Sequence, residues 1–238
     1  PPGTRPTSGT APRERDAPAP PVLLDHNATT PLRPEARAAW LEALDRGLGN
    51  PSSQHDAGRR ARHAVDEARE RVAAALGVAE DEVLFTSGGT ESINLALRGH
   101  LAARRRAAGP SDPPAALASP PTEHAAVRET AADLARAGHP HLPLAVDGEG
   151  ELDADAFAEV SRRPGHDLAR ARGLLADDVR LFVDGVQALG RLPLDLVGWG
   201  VDLAAFSAHK VGGPVGVGVL VARRGVALAP LMTGGGQE

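Results

Sequence analysis

A lysine that follows a short apolar run has the clearest capacity for covalent chemistry in this chain. Lys210 ends the stretch Ser207-Ala208-His209-Lys210, which lies between an apolar run, 201–206, and a glycine-rich run, 212–218. An amine in a dry pocket is hard to keep charged, so burial lowers the pKa of a lysine, and a neutral amine attacks carbonyl carbon to form a Schiff base. Taken alone, such a lysine more often begins a surface loop, so the prediction depends on the motifs around it.

An aspartate that could support a carbonyl cofactor lies upstream. Asp184 follows the apolar residues 181–183 and begins Asp184-Gly185-Val186-Gln187. Pyridoxal phosphate is the cofactor that most often uses a Schiff-base lysine, and its pyridinium nitrogen needs an acidic partner. Ligands of open α/β sheets bind at the carboxyl ends of the strands. We expect Asp184 to keep the ring nitrogen protonated and Gln187 to donate to the ring oxygen; the alternative is an aspartate that only caps the next segment.

A glycine turn between a predicted strand and a predicted helix is the candidate phosphate site. Residues 85–92 read Phe-Thr-Ser-Gly-Gly-Thr-Glu-Ser. Gly88 and Gly89 would let the backbone approach a ligand, and the following helix offers free amide donors, to which Thr90 could add a hydroxyl. The pattern is neither a Walker A motif nor G-x-G-x-x-G, so a dinucleotide is not indicated. An ordinary helix cap with a tight turn would explain the same residues.

Two further polar stretches could line the same site. His124, in Thr122-Glu123-His124, opens a predicted helix, where a neutral imidazole could stack on a flat ring or shuttle protons. The alternative is a histidine in a surface cap.

Residues 25–31 read Asp-His-Asn-Ala-Thr-Thr-Pro and predict a polar loop lining the cavity, with Asn27 as a candidate substrate contact. Adjacent side chains rarely share an ion and no third ligand is evident, so no metal site is expected.

Composition narrows the class of protein. The 238 residues are 42% hydrophobic with a net charge of −5, enough for one large domain but giving no electrostatic argument for nucleic acid or an anionic membrane. Only 3% of residues are aromatic, which argues against base-stacking platforms, and the apolar runs are too short to predict a membrane span. There is no cysteine, hence no thiol nucleophile or disulfide in this sequence. Without a signal-peptide core, a cytoplasmic location is the default expectation.

The alternation of helical and strand-like segments predicts an α/β domain with a mostly parallel sheet. Residues 1–20 are predicted to be a disordered tail and residues 21–238 to form the domain. The helical spacing of apolar residues is clearest over 56–76, after which Gly77 is a plausible cap. The other predicted helices are 35–46, 90–106, 123–137, 153–160 and 167–175, and the predicted strands are 82–85, 115–118, 142–146, 179–183, 203–206 and 215–222.

Taken together, these stretches resemble the cysteine desulfurases of the class V aminotransferase family, which are fold type I pyridoxal phosphate enzymes. The resemblance covers the chain from about residue 22 onward, and six motifs in family order make it highly specific. It implies a three-layer αβα large domain with a mostly parallel central sheet, the small C-terminal domain being largely absent. The matching stretches are 24–31, 49–53, 86–91, 122–124, 183–188 and 206–210.

The resemblance also implies roles for individual residues. Lys210 would carry the cofactor and move the α-proton of the substrate, while His124 would stack on the ring and assist proton transfer. Asp184 would pair with the ring nitrogen and Gln187 with the ring oxygen. The implied reaction takes sulfur from L-cysteine, releases alanine and delivers a persulfide to an acceptor for iron–sulfur clusters or thio-compounds, in a homodimer. The residues that would hold the phosphate are Gly89, Thr90, Ser207 and His209.

The sequence departs from the family pattern in three places. An Asn-Asn-Glu-Thr-Gly strand expected between about residues 160 and 179 is absent, and Val215 stands where a lysine is usual. The small domain with the substrate arginine and the catalytic cysteine does not follow Gly234. Without a thiol this sequence cannot accept sulfur as the family does, so we expect a piece of a longer protein, a sequence lacking an internal part, or a degenerate product. Other functions left open are a selenocysteine lyase, another class V transaminase or lyase, and a non-catalytic remnant.

Overall fold

The structure, a computed structural model, describes residues 22–152 and 179–235. The predicted tail and the predicted helices at 153–160 and 167–175 lie outside the described residues. Among the described helices none combines the length and the apolar character needed to cross a bilayer. The helices are α1 (Pro34–Asp45), α2 (Asp56–Leu76), α3 (Gly89–Asn94), α4 (His100–Ala107) and α5 (Ala125–Arg136), and the strands are β1 (Val83–Thr86), β2 (Leu117–Ser119), β3 (His141–Pro143), β4 (Phe182–Asp184), β5 (Leu203–Ser207) and β6 (Gly218–Ala222).

A four-stranded sheet in the order β1-β6-β5-β4 forms the centre of the described structure. Strand β5 pairs with β4 in parallel, whereas β6 is antiparallel to both β5 and β1. Strands β1, β4 and β5 therefore run in one direction, as predicted, and β6 alone runs against them. Strands β2 and β3 form a separate parallel pair.

Strand β5 shows why the sheet carries helices on both faces. All five of its residues are buried, and successive side chains of a strand point to opposite faces. Ala204 and Phe206 pack in one cluster with Leu76 of α2, while Ala205 packs in another with Ile93 and residues of α5. The apolar residues 203–206 thus belong to a strand covered on both faces, which gives the three-layer αβα arrangement that the sequence predicts.

Helix α2 has the bounds that its apolar spacing predicts. Its first turn is capped by His55, whose Nδ1 accepts a hydrogen bond from the Gly58 amide at 3.2 Å. It ends at Gly77, which adopts a left-handed conformation with φ of 66° that a glycine tolerates without steric cost. Burial of Ala61, Ala73 and Leu76 fixes the face that it turns to the core.

Several other elements differ from prediction at their ends. The predicted helix 90–106 is observed as α3 and α4 joined by a π-helical segment, Leu95–Gly99, which the apolar pattern did not signal. The predicted strand 142–146 ends early at Pro143, and Val146 instead forms an isolated bridge with Leu152. Strand β6 begins only at Gly218, since Gly216 turns the chain with φ of 81°.

Candidate active site

One cavity of about 390 Å³ lies at the carboxyl ends of β1, β4 and β5. Its size falls within the range of about 300–1,000 Å³ typical of small-molecule sites, and its position is where open α/β sheets bind ligands. The structure therefore brings together eight of the nine predicted site residues, and of that set only Asn27 is not part of the lining. The lining consists of Gly89, Thr90, Ile93, Thr122, Glu123, His124, Asp184, Val186, Gln187, Ser207, His209 and Lys210.

The start of α3 packs closely against Val186 and Ser207 at Gly89. A Cβ atom added to Gly89 would lie 2.9 Å from Cγ2 of Val186 and 3.5 Å from Cβ of Ser207. The backbone amides at this end of the helix consequently lie close to the ends of β4 and β5, beside the hydroxyl groups of Thr90 and Ser207 in the cavity lining. Amide and hydroxyl donors at a helix start suit a phosphate group.

Asp184 is the last residue of β4, where the sequence predicted it. Its Oδ1 accepts a hydrogen bond from the amide of Val186 at 3.1 Å, and the amide of Gly185 donates to the carbonyl of Ala205 at 3.0 Å. These bonds fix the turn that follows the strand. The carboxyl group lines the cavity with a second one, that of Glu123. Burial raises the pKa of Glu123, and the negative charge of Asp184 raises it further.

His124 caps α5 through its own ring. The Nδ1 atom accepts a hydrogen bond from the amide of Ala126 at 3.1 Å. An amide can only donate, so Nδ1 carries no hydrogen in this arrangement and the neutral tautomer has its hydrogen on Nε2. The cap therefore fixes both the orientation of the imidazole at the cavity and the nitrogen that holds the proton.

Lys210 is the only lysine of the sequence. It lies in a short 3-10 helix, Ala208–Lys210, directly after β5, and is half-buried. Its Nζ donates to the carbonyl oxygens of Asn27 at 2.6 Å and Ala28 at 2.9 Å. The environment is therefore more polar than the dry pocket expected from the sequence, because a turn 183 residues away along the chain reaches the amine.

His209 is held by the same N-terminal loop. Its Nδ1 lies 3.0 Å from Oγ1 of Thr29, and its carbonyl oxygen accepts hydrogen bonds from the amide and the hydroxyl of Thr30, both at 2.9 Å. Burial lowers the pKa of His209, and the positive charge of Lys210 lowers it further. A neutral imidazole beside Lys210 can serve as a hydrogen-bond donor to a phosphate without adding a second positive charge.

Two residues near the site were missed in the sequence. Glu123 was noted only as part of a motif, and Arg191 was not noted at all. Arg191 donates to the Oδ1 atom of Asn27 at 2.8 Å and to the carbonyl of His26 at 3.2 Å. A contact between residues 164 positions apart leaves no local signal in a single sequence. Within residues 22–152 and 179–235 no group of three or more potential ligands that could hold a metal ion is found.

The sequence matches the class-V aminotransferase family over residues 22–166 and 168–238. It is 38% identical over 235 residues to the cysteine desulfurase IscS of Dictyoglomus turgidum, covering 91% of this chain and 58% of that protein. It is 39% identical to an IscS-like cysteine desulfurase of Mycobacterium tuberculosis, covering 91% of this chain and 59% of that protein. The chain thus spans less than two thirds of the length of these relatives.

Solved structures show the same fold. A NifS-like protein superposes with a TM-score of 0.81 at 31% identity, covering 90% of this chain and 62% of that one. The structure of SspA in complex with cysteine superposes with a TM-score of 0.79 at 27% identity, covering 90% of this chain and 65% of that one. Because the family match extends over all the described residues, and the relatives from Dictyoglomus turgidum and Mycobacterium tuberculosis are both named as cysteine desulfurases, the chain belongs to the class-V aminotransferase family.

Proposed function

We propose that this chain forms the cofactor-binding part of a pyridoxal-phosphate-dependent cysteine desulfurase. The observation that supports this most strongly is that the only lysine of the sequence lines one cavity with Asp184 and His124. The residues present fit the cofactor: an amine for its aldehyde, a carboxylate for its ring nitrogen, and a glycine cradle that a Cβ at Gly89 would fill. When bound, pyridoxal phosphate supplies an electron sink for reactions at the α-carbon of an amino acid.

Each residue of the cavity then has a defined task. The Asp184 carboxylate would pair with the ring nitrogen of the cofactor and favour its protonated form. His124, with its hydrogen on Nε2, offers a flat surface for the ring and a proton at a fixed position. The amide of Gly89 and the hydroxyls of Thr90 and Ser207 offer donors to the phosphate. The amine of Lys210, which lies half-exposed at the cavity, would take and return a proton.

L-cysteine is the substrate that the relatives support, since their names are those of cysteine desulfurases and one structural neighbour was solved in complex with cysteine. The sequence itself contains no cysteine. The sulfur atom removed from the substrate would therefore pass to a thiol that these 238 residues do not contain. An acceptor protein or an added thiol would complete the reaction.

The same lack of a thiol supports a second candidate function. In that case the chain binds pyridoxal phosphate at Lys210 but does not turn over cysteine. The two candidates agree on the cofactor and differ only in whether alanine is released.

The test is to mix purified chain with pyridoxal phosphate, L-cysteine and a reducing thiol, and to follow visible absorbance and alanine together. Cysteine desulfurase activity predicts a visible absorption band and alanine release, both lost in Lys210→Arg, which keeps the positive charge. The band without alanine would support the second candidate. A chain that folds but gains no band would contradict both.

A further inference from the structure

The turn formed by residues 25–28 lies directly on the amine of Lys210. Nζ donates to the carbonyl oxygens of Asn27 at 2.6 Å and Ala28 at 2.9 Å. The Asn27 carbonyl also accepts a hydrogen bond from Nε2 of Gln187 at 2.9 Å. Within the turn, the amide of Ala28 donates to Oδ1 of Asp25 at 3.1 Å, so the two carbonyls that hold the amine have a defined orientation.

Arg191 adds two further contacts between this turn and the rest of the domain. One guanidinium nitrogen donates to Oδ1 of Asn27 at 2.8 Å and another to the carbonyl of His26 at 3.2 Å. The side chain is exposed and is not part of the cavity lining. Its contacts therefore act on the site only through the turn.

The number of hydrogens on Nζ determines whether both hydrogen bonds to the turn can form. A lysine ammonium has three hydrogens, and two of them are given to Asn27 and Ala28. When an amine condenses with an aldehyde, a carbon–nitrogen bond forms, the aldehyde oxygen leaves as water, and the nitrogen keeps at most one hydrogen. At least one carbonyl must then lose its donor. The two hydrogen bonds can both exist only while Lys210 is unreacted, so they stabilise that state against the product.

We propose that Arg191 is a positioning residue that holds the 25–28 turn on Lys210 and thereby slows the reaction of its amine with an electrophile. The proposal rests on the proposed function only in naming the pyridoxal phosphate aldehyde as the natural electrophile. The charged and titratable side chains around the amine, His209, Asp184, Glu123 and His124, are the same in all variants described below.

The direct test needs no cofactor. Because Lys210 is the only lysine, its acylation by a small activated ester can be followed in a digest, separately from the terminal amino group. Arg191→Ala should raise the acylation rate about three- to tenfold, the effect expected when hydrogen bonds that favour the unreactive state are weakened. Arg60→Ala, which removes an exposed arginine of α2, is the matched control and should leave the rate unchanged.

A second variant separates positioning from general destabilisation. Asn27→Ala removes one of the two acceptors of Arg191 but keeps the backbone carbonyls, so it should raise the rate by less, about twofold. The double variant should react at the rate of Arg191→Ala, since both changes break the same connection. In hydrogen exchange, only peptides covering residues 22–33 should exchange faster in Arg191→Ala, while β5 should remain protected.

The outcomes separate this inference from the proposed function. An acylation rate equal to that of the parent in both Arg191→Ala and Asn27→Ala would overturn the role of Arg191, whatever the cofactor does. Additive effects in the double variant, or faster exchange spread over β5, would also overturn it. If acylation responds as expected and pyridoxal phosphate attaches to none of the variants, the proposed function fails and the positioning role stands. If it attaches, it should do so faster in Arg191→Ala.

Discussion

At the scale of single residues, the site depends on side chains that combine a structural and a chemical task. His124 caps α5 through Nδ1 and presents the rest of its ring to the cavity. Lys210 is both the proposed reactive amine and a hydrogen-bond donor to the 25–28 turn. Substitutions can separate these tasks.

Replacing His124 by asparagine or by alanine should distinguish its role as a helix cap from its role in the chemistry of the site. Asparagine is a good helix cap, so His124→Asn should leave the stability nearly unchanged while removing the imidazole. His124→Ala should lose the imidazole and also about 1 kcal/mol of stability. Urea unfolding measures the stability of both variants, and alanine release from cysteine measures the effect of losing the imidazole. Equal activity of His124→Asn and the parent would show that the imidazole has no chemical role.

Glu82 is a charged side chain that lies away from the cavity and is almost fully buried. It should make the free energy of unfolding depend on pH in the acid range. Burial alone would raise its pKa, but hydrogen bonds from the amides of Ala79 and Arg224 and from the Arg223 side chain outweigh it and hold the pKa below the usual 4.5. A pKa lowered by folding contributes stability above 4.5, which is lost as the pH falls through the value in the folded state.

Glu82→Gln should therefore cost about 1–3 kcal/mol of unfolding free energy at neutral pH. The difference in unfolding free energy between the parent and Glu82→Gln should narrow as the pH falls from about 6 to about 3, because only the parent has this carboxylate to lose. Urea unfolding at several pH values measures both. A difference that stays constant over this range would contradict the lowered pKa.

At the scale of elements, the sequence predicted segments with strong local signals better than contacts between distant segments. Helix α2 has its predicted bounds because apolar spacing, a cap and Gly77 all agree. The π-helical segment Leu95–Gly99 and the early end of β3 at Pro143 depend on packing, which periodicity does not encode. Motifs predicted eight of the residues that line the cavity, whereas the contact of the 25–28 turn with Lys210 is seen only in the fold.

The close approach of α3 to the strand ends can be tested at Gly89. An added Cβ would lie 2.9 Å from Cγ2 of Val186, so Gly89→Ala should displace the helix start, cost about 1–3 kcal/mol of stability and weaken cofactor binding. Gly148→Ala is the control, since a Cβ there would meet nothing within 4 Å. Urea unfolding and titration with pyridoxal phosphate check both expectations. Cofactor binding by Gly89→Ala that equals the parent would contradict the phosphate cradle.

At the scale of the whole molecule, the described surface retains apolar side chains that a partner could cover. Helix α1 has no buried residue and carries Trp40 and Leu44, which are 50% and 63% exposed. We predict a homodimer, as the resemblance to cysteine desulfurases implies. Analytical ultracentrifugation should give twice the 24.5 kDa chain mass. A single-chain mass at every concentration tested would contradict it.

We propose that pyridoxal phosphate attaches to Lys210, and reduction with borohydride can reveal where it attaches. Reduction converts the linkage to a stable amine that peptide mass spectrometry can locate. Because the sequence has one lysine, we expect one cofactor per chain, on the peptide containing Lys210, and none in Lys210→Arg. A folded chain that carries no label, or carries it only on the terminal amino group, would show that the cofactor does not attach to Lys210.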